Sequence, residues 1–352
     1  MNSVLDHTPE RLAESFREQG IEPFRARQVT RWVFSRGVRN FEDMTDLSRP
    51  LRAELGARWR TRVLERQEAH RSSDGTVKLV LGTDEGARIE TVIIPEGRRR
   101  TVCLSSQVGC SLTCSFCATG RLGLLRNLRT DEIVDQLLIA REVLAERGEG
   151  PTHVVFMGMG EPLLNLSQVI GAVRILAHPD SLGLSPRRIT VSTAGVVPRL
   201  ADLGQAVPVQ VRLAVSLHAT TDEVRDRLVP LNRRFPIAML LAACREYPLP
   251  PRGRLSIEYT LIRGLNDRAE DGQRLVGLLR GLRAHVNLIE LNPSAGSRFL
   301  PSPEPVLNRF AGILARARVP VTVRRSRGGD ILAACGQLGA TASPFAVASS
   351  VR

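Results

Sequence analysis

The stretch Cys110-Ser-Leu-Thr-Cys114-Ser-Phe-Cys117 places three thiols at spacings of four and three residues in one short segment. Because thiolates are soft ligands, three of them at this spacing can converge on zinc or on an iron–sulfur cluster. A closed structural zinc site takes four ligands, and the next Cys or His downstream is His153. The stretch therefore predicts a metal centre with three thiolate ligands and one open position. The alternatives are a structural zinc site and three unrelated buried thiols.

The chain carries a strong excess of positive charge. Its 352 residues have a formal net charge of +13, and Lys78 is the only lysine among 49 basic residues. Arginine binds phosphate in a bidentate manner and stacks on bases, so this composition predicts a polyanionic partner such as RNA. A GC-rich genome that favours arginine codons would explain the ratio of Arg to Lys, but not the net excess. The lone lysine lies outside any P-loop pattern, which excludes that class of nucleotide site.

The sequence shows neither a membrane anchor nor a secretion signal. The longest uninterrupted apolar run has eight residues, 237–244, and residues 1–20 lack the apolar region of a signal peptide. Six cysteines, three of them clustered, do not form the pattern of a disulfide framework. We therefore expect a cytoplasmic protein without a membrane partner, in a reducing compartment that would also protect an oxygen-sensitive cluster.

Hydrophobic periodicity divides the chain into three segments. Residues 1–95 predict an accessory module of short helices followed by a β-hairpin with strands at 76–81 and 88–94. Residues 96–325 alternate strands and helices, which predicts a parallel sheet with right-handed crossovers. Residues 326–352 hold a glycine-flanked loop around Cys335 and a frayed tail at 340–352. Strands of the alternating segment are expected near residues 101–104, 153–157, 188–192, 209–217, 255–262, 285–291 and 321–324.

Polar residues follow several of the predicted strands. Gly158-Met-Gly160-Glu161-Pro162 is half of a dinucleotide fingerprint, but Leu163 stands where a third glycine would be, so a Rossmann site is disfavoured. The two glycines instead predict a turn at which the backbone approaches a small ligand closely. Ser192, Ser216-Leu217-His218 and Asn292 end later strands. Each alone could be a cap or a core polar group, but ligands gather at this edge of parallel sheets.

The remaining cysteines are scattered. Cys244 lies in an apolar helical segment and is expected in the core. Cys103 lies just upstream of the cluster in a predicted strand, and Cys335 lies in the loop 328–337, where a reactive thiol could be exposed and mobile. The alternative for both Cys103 and Cys335 is a small buried hydrophobe.

Phe116 before the last clustered cysteine is typical of radical S-adenosylmethionine (SAM) enzymes, and further motifs narrow the resemblance. The chain resembles, from residue 24 to residue 337, the bacterial dual-specificity RNA methyltransferases of the methyl-cysteine-dependent radical SAM class. This resemblance implies a partial (β/α) barrel of the radical SAM type with a small N-terminal helical RNA-binding module. The motifs that carry it are Phe24-Arg-Ala-Arg-Gln28, Ile89-Glu90-Thr91, Ser105-Ser-Gln-Val-Gly109, Gly158-Met-Gly160-Glu161-Pro162, Ser216-Leu217-His218-Ala219 and Ala334-Cys335-Gly336-Gln337.

The resemblance also implies the cofactors and partners. One 4Fe-4S cluster would be held by Cys110, Cys114 and Cys117, and two molecules of SAM would be used per turnover. The substrates would be adenines of 23S rRNA and of tRNA, methylated at carbon 2 by a monomer that needs an electron donor and a thiol reductant. The SAM contacts implied are Gly160, Glu161, Ser192, Ser216, Leu217, His218 and Asn292.

Three further residues acquire roles from the resemblance. Cys335 would accept a methyl group from SAM and pass it to the base, Glu90 would remove the carbon-2 proton, and Cys103 would release the product through a transient Cys103–Cys335 disulfide. Two alternatives stay open. A related resistance methyltransferase modifies carbon 8 of adenine with the same cysteines, although the long N-terminal segment with Phe24-Arg-Ala-Arg-Gln28 favours carbon 2. A metal-stabilised RNA-binding protein without catalysis is the other.

Overall fold

The computed structural model describes residues 1–294 and 296–340, so the prediction of a frayed tail lies, for residues 341–352, outside the described part. The first helix begins at Pro9 because Thr8 caps it: the Thr8 side chain accepts a hydrogen bond from the Arg11 amide, and proline is well suited to the first helical position. The helices are α1 (Pro9–Glu18), α2 (Phe24–Thr30), α3 (Arg49–Arg58), α4 (Ala118–Arg121), α5 (Thr130–Ala145), α6 (Leu166–Ala177), α7 (Pro198–Ala206), α8 (Asp222–Leu228), α9 (Ile237–Glu246), α10 (Ala269–Leu278) and α11 (Glu304–Arg316).

Most strands belong to one large mixed sheet. The strands are β1 (Asn2–Ser3), β2 (Trp59–Arg60), β3 (Leu64–Arg71), β4 (Val77–Thr83), β5 (Arg88–Glu96), β6 (Arg99–Cys103), β7 (Gln107–Gly109), β8 (Leu124–Asn127), β9 (His153–Phe156), β10 (Ile189–Thr193), β11 (Arg212–Ser216), β12 (Leu255–Leu261), β13 (Ala284–Glu290) and β14 (Val321–Arg324).

The sheet confirms the predicted parallel architecture. Its order is β14-β13-β12-β11-β10-β9-β6-β5-β4-β3, and every pair from β14 to β6 is parallel. Helices between these strands supply the crossovers that parallel pairing requires. In the described part of the chain β14 and β3 stand at opposite ends of the order, as in a partial barrel.

The predicted hairpin is also present, and it continues the main sheet. β4 pairs antiparallel with β5, and β5 pairs antiparallel with β6, so the hairpin is joined edge to edge to the parallel strands. This arrangement places side chains of β4 and β5 beside the end of β6, where Cys103 lies. The boundary at residue 95 stays a prediction.

The N-terminal region contacts α5, where Arg141 donates to the carbonyl oxygens of Val33 and Phe34. Trp59 meets Phe16 edge to face, with ring centroids 5.3 Å apart, in the core of this region. Asp135 of α5 is fully buried and accepts hydrogen bonds from the amides of Val63 and Leu64 at 2.8 and 2.9 Å, where β3 begins. Arg62 forms an ion pair with Asp135 at 2.7 Å. These contacts fix the start of the antiparallel strands against the barrel.

The apolar core follows the expected pattern. Cys244 of α9 is 1 % exposed, which confirms it as a core residue. Of the helices within residues 1–294 and 296–340, none has the length and apolar character needed to cross a membrane.

Candidate active site

The cysteine loop, residues 110–117, joins β7 to α4 and begins with an unusual backbone conformation. Gly109 has a φ of +78°, and a Cβ atom there would lie 1.9 Å from the Gly123 carbonyl oxygen, so only glycine fits. The Cys110 amide donates to that same carbonyl oxygen at 2.8 Å. Thr113 has a φ of 50°, which is rare for a β-branched residue. The chain therefore turns sharply at Gly109, just before the loop, and at Thr113, the fourth residue of the loop.

The three thiols of this loop lie close enough to affect one another's ionisation. Burial raises the pKa of Cys110 to about 11, and the negative charge of Cys117 contributes to the rise. Burial raises the pKa of Cys114 as well, where repulsion from Cys117 and Cys110 contributes. A bound cation removes this repulsion and displaces the thiol protons. The thiol set therefore fits a metal centre that compensates three negative charges.

The same thiols do not form a site for one metal ion. Across residues 1–294 and 296–340, no group of three or more His, Cys, Asp or Glu side chains is arranged to hold a single ion. A 4Fe-4S cluster makes a different demand, because its thiolates bind separate irons. On this geometry, structural zinc and the cluster both stay predictions.

His218 packs against the cysteine loop from the end of β11. Its ring meets the ring of Phe116 edge to face, with centroids 5.0 Å apart. The Thr260 amide donates to His218 Nδ1 at 3.0 Å, which leaves the ring proton on Nε2. Burial lowers the pKa of His218 to about 3, so the ring is neutral near pH 7. His218 thus offers a neutral N–H donor beside the cysteine loop.

Glu161 links the ends of two parallel strands. Its carboxylate accepts hydrogen bonds from the amides of Ala194 at 2.7 Å and Leu163 at 3.0 Å, and its own amide donates to Gln107 Oε1 at 2.8 Å. Burial raises the pKa of Glu161, although these hydrogen bonds oppose the rise. Gly160 has a φ of +99°, and a Cβ there would lie 2.5 Å from the Gln107 side chain. At its glycines the turn after β9 therefore presents only backbone atoms, and the hydrogen bonds of Glu161 hold the turn in place.

The other predicted SAM contacts lie at the same edge of the sheet. Ser192 lies near the end of β10, Ser216 ends the adjacent β11, and Leu217 and His218 follow it. Asn292 follows β13 by two residues. The structure thus brings the predicted ring of strand-end residues together, while their contacts with SAM stay predictions.

A buried arginine links these strand ends, and sequence reasoning missed it. Arg225 of α8 is fully buried and donates to the carbonyl oxygens of Leu217 at 3.0 Å, Ala194 at 2.7 Å and Ser216 at 3.1 Å. It also donates to Asn232 Oδ1 at 2.9 Å. Burial lowers the pKa of Arg225 to about 10, which keeps it charged near pH 7. An arginine inside the charged run 222–227 gives no sequence signal of this role.

Cys335 lies between the cysteine loop and the strand-end residues. Its side chain is exposed in the loop after β14, so of the two alternatives it is not a buried hydrophobe. The Ala118 amide, directly after the last cysteine of the cysteine loop, donates to the Gly336 carbonyl oxygen at 2.7 Å. Asn292 Nδ2 donates to the Cys335 carbonyl oxygen at 3.4 Å. The Cys335 loop, residues 332–339, therefore contacts both predicted cofactor sites.

Cys103 and Cys335 lie within electrostatic range of each other. Cys103 ends β6 and is 5 % exposed; burial raises its pKa, and the negative charge of Cys335 raises it further. The surrounding protein raises the pKa of Cys335 even though its side chain reaches solvent, while the positive charge of Arg324 opposes this rise. The structure thus brings the two separate cysteines into one site.

Glu90 reaches the same site from β5. Its side chain is 1 % exposed, and its Oε2 accepts a hydrogen bond from the Gly339 amide at 2.8 Å, at the end of the Cys335 loop. Lys78 of β4 lies 3.3 Å from Oε1. The structure therefore places this strand carboxylate beside the Cys335 loop, with the chain's only lysine as its counter-ion.

Comparisons with known proteins identify the family. The radical SAM superfamily model matches residues 104–275, and the model of the ribosomal RNA large subunit methyltransferase N-terminal domain matches residues 2–60. A dual-specificity RNA methyltransferase RlmN from Syntrophobacter fumaroxidans is 48 % identical over 95 % of this chain and 97 % of its own length. A second RlmN, from Anaeromyxobacter dehalogenans, is 46 % identical over 98 % of this chain and 95 % of its own length. The chain belongs to the RlmN family of radical SAM methyltransferases. A crystal structure of a radical SAM methyltransferase from Sphaerobacter thermophilus supports the assignment, with 44 % identity, a TM-score of 0.93, and coverage of 97 % of this chain and 100 % of that one.

Membership of the RlmN family confirms the predicted fold class and the prediction of a SAM-dependent radical RNA methyltransferase. It implies SAM and a 4Fe-4S cluster as cofactors. The individual roles of the site residues stay predictions. Lys78 is a second residue that sequence reasoning missed, although the presence of one lysine in an arginine-rich chain was a signal. On the protein surface arginine can take the place of lysine, whereas a buried position can require the compact ammonium group of lysine.

Proposed function

We propose that this RlmN-family protein methylates carbon 2 of adenine in 23S rRNA and in tRNA through a methyl group carried by Cys335. The observation that carries the proposal is the position of the Cys335 loop, which accepts a hydrogen bond from Ala118 beside the cysteine loop and donates one to Glu90. Carbon 2 of adenine lies between two ring nitrogens and is electron-poor, so it does not attack the methyl group of SAM directly. A carrier thiol beside a radical source meets this difficulty.

The chain's own residues would act in sequence. The thiolate of Cys335 attacks the methyl group of one SAM, forms a sulfur–carbon bond and releases S-adenosylhomocysteine. When bound by Cys110, Cys114 and Cys117, the cluster with a second SAM would supply the one-electron chemistry: removal of one hydrogen atom from this methyl group, and uptake of the electron that must leave when the adduct loses its carbon-2 proton. The activated carbon then bonds to carbon 2 of the base, which joins the protein and the RNA covalently.

Glu90 and Cys103 would resolve this adduct. Glu90 accepts the carbon-2 proton, a role that needs a carboxylate near the reacting carbon. The Cys103 thiolate attacks the sulfur of Cys335, and the sulfur–carbon bond breaks with its electron pair on the carbon, which takes up a proton to become the methyl group. A Cys103–Cys335 disulfide remains, and an external thiol reductant restores both thiols.

The N-terminal module offers a surface suited to RNA. Phe24 is 54 % exposed, and the Arg25 guanidinium lies 4.5 Å from its ring centroid. The Arg36 guanidinium lies 4.0 Å from the ring centroid of Trp32. Exposed aromatic rings beside arginines stack on unpaired bases, and the net charge of +13 favours a polyanion. An unstacked adenine is the expected substrate, because stacking covers carbon 2.

We further propose that the protein is a monomer that works in the cytoplasm with an electron donor.

Trapping the adduct tests the proposal. Anaerobic turnover of the cluster-loaded Cys103→Ala variant with a tRNA or rRNA fragment should accumulate protein joined to RNA, detected on a denaturing gel. Cys335→Ala is the matched control: it should keep the cluster but form neither adduct nor 2-methyladenosine. Methylation by Cys335→Ala would refute the scheme, and 8-methyladenosine as the wild-type product would favour the carbon-8 alternative. A wild-type protein that carries zinc, or that fails to cleave SAM when reduced, would favour the non-catalytic alternative.

A further inference from the structure

We propose that Lys78 is a positioning residue that holds the Glu90 carboxylate and the Cys335 loop in one arrangement, so that Glu90 is aimed correctly when the carbon-2 proton must leave. The inference rests on the proposed function, in which Glu90 is the proton acceptor. It deepens that function by assigning a role to the only lysine of the chain.

Strand register places Lys78 and Glu90 on one face of the sheet. In the antiparallel pair of β4 and β5, Lys78 is opposite Val92 and Val80 is opposite Glu90. Lys78 and Glu90 are therefore diagonal neighbours, within reach of each other for long side chains. Lysine is depleted in strands and almost never fully buried unless paired. Its presence in the middle of a buried strand points to a specific partner.

Both side chains are almost completely removed from solvent. Lys78 is 3 % exposed and Glu90 is 1 % exposed. Lys78 Nζ lies 3.3 Å from Glu90 Oε1. Within the described residues, Glu90 Oε1 has no well-oriented hydrogen-bond donor. The charge of Lys78 is thus what compensates this oxygen, and a buried carboxylate that loses such a partner destabilises its surroundings.

The pair also holds both arms of the Cys335 loop. Lys78 Nζ donates to the Leu332 carbonyl oxygen at 3.5 Å, three residues before Cys335. Glu90 Oε2 accepts from the Gly339 amide at 2.8 Å, four residues after Cys335. Leu332 has a φ of 53°, a left-handed conformation that leucine rarely adopts and that surrounding contacts must maintain. Lys78 and Glu90 therefore fix the ends of the segment that carries the methyl group.

These contacts predict a specific defect when Lys78 loses its charge. Lys78→Met keeps the length of the side chain but removes the ammonium. Methylation of Cys335 should be affected less than resolution of the adduct, because the cysteine loop and the strand-end residues are untouched. The covalent adduct should then be resolved slowly, since the Glu90 carboxylate is no longer held in place. Resolution should slow by roughly a hundredfold, the lower end of the range for loss of general acid–base catalysis.

The experiment compares cluster-loaded wild type, Lys78→Met, Lys78→Arg, Glu90→Gln and the double variant Lys78→Met/Glu90→Gln. Two quantities are measured: methylated Cys335, by mass spectrometry of the protein, and the decay of the protein–RNA adduct in anaerobic turnover. Lys78→Met should match Glu90→Gln in adduct decay, and Lys78→Arg should recover part of the rate. The double variant should be no slower than Glu90→Gln, because Lys78 acts through Glu90. If Lys78→Met does not fold, the double variant, which removes both charges, still tests this coupling.

Arg62→Met is the matched control. It removes another buried ion pair, between Arg62 and Asp135, at the start of the same antiparallel strands. It should lower stability without changing adduct decay relative to methylation of Cys335. Amide hydrogen exchange in protein without cluster adds a second readout: exchange of residues 332–339 should be faster in Lys78→Met than in Arg62→Met.

The inference would be overturned if the adduct decayed at the wild-type rate in Lys78→Met. It would also be overturned if adduct decay in the double variant were slower than in Glu90→Gln by the full effect of Lys78→Met. Equal exchange of residues 332–339 in Lys78→Met and Arg62→Met would overturn it as well. The proposed function fails separately, and the inference with it, if wild type forms no 2-methyladenosine or Glu90→Gln forms no adduct.

Discussion

The amide of Ala118 donates a hydrogen bond to the carbonyl oxygen of Gly336 at 2.7 Å, across 218 positions of sequence. This bond joins the residue after the last clustered cysteine to the residue after Cys335. It makes the distance between the predicted radical source and the predicted methyl carrier a property of the backbone rather than of a flexible side chain.

Removing this one bond should slow the transfer of the activated methyl group. Ala118 is the first residue of α4, where proline is tolerated, and Cys117 before it is already extended, with a φ of −109° and a ψ of 125°. Ala118→Pro should therefore keep the fold and the cluster. We expect 2-methyladenosine formation to fall about fivefold, the effect of one hydrogen bond. Iron content and methylated Cys335 should match wild type, and a loss of iron would contradict this account.

Two carboxylates anchor the residues before Cys335, and the anchor should weaken in acid. Partial burial alone would raise the pKa of Asp74, but hydrogen bonds from Thr76 and Gly328 outweigh it and lower the pKa to about 2. A hydrogen bond from Ser72 likewise lowers the pKa of Asp330. Because the folded-state pKa of Asp74 lies below the ordinary 3.8, its contribution is complete above pH 3.8 and is lost as pH falls toward 2.

The matching variant is Asp74→Asn. At pH 6 it should lower the free energy of unfolding by about 1 kcal/mol, a value discounted because the carboxylate is partly exposed to solvent. The difference from wild type should narrow between pH 4 and pH 3, measured by urea unfolding. A difference that stays constant over this range would show that the charge of Asp74 is not the cause.

Sequence patterns predicted the parallel strands because each is an apolar run bounded by turns, and β11 to β14 fall where those runs lie. The cysteine loop and the GMGEP turn were visible because cysteine spacing and paired glycines are local signals. The proximity of Cys103 and Cys335 could be expected only from family resemblance, since no local pattern links residues so far apart.

The supporting contacts could not be predicted in the same way. Arg225 and Lys78 act through hydrogen bonds to backbone carbonyl oxygens that come together only when strands pair and loops close. An arginine on an amphipathic helix normally faces solvent, and the burial of Arg225 depends on the path of the chain between β11 and α9. Glu161 was predicted as a SAM contact, and its carboxylate also holds two backbone amides, which no pattern indicates.

The exposed ring of Phe24 should contribute to RNA affinity. Stacking of one base on an aromatic ring contributes about 1–3 kcal/mol, so Phe24→Ala should raise the Kd for a tRNA substrate by about tenfold. Met239→Ala is a suitable control, because Met239 is similarly exposed, at 48 %, but lies on α9, outside the N-terminal module. Methylation of Cys335 in the absence of RNA should be unchanged in both variants. An equal Kd for Phe24→Ala and wild type would remove Phe24 from the RNA surface.

The most severe loss should follow from Arg225→Met, because one buried guanidinium satisfies three carbonyl oxygens and Asn232. Methionine fills a similar volume but leaves these acceptors without donors, which should cost about 3 kcal/mol of unfolding free energy. The carbonyl groups of Ala194, Ser216 and Leu217 lie at the strand ends predicted to hold SAM, so affinity for S-adenosylhomocysteine should fall with stability.

Two variants separate these effects. Arg199→Met removes an arginine whose side chain is 58 % exposed and should change neither quantity. Arg225→Lys keeps the charge but not the fork of donors, and therefore should recover stability only in part while S-adenosylhomocysteine binding, measured by calorimetry, stays weak. Binding is expected to stay weak because it requires the positions of the strand ends and not the charge alone. If Arg225→Lys bound S-adenosylhomocysteine fully, Arg225 would serve as a counter-charge and not as the residue that positions β10 and β11.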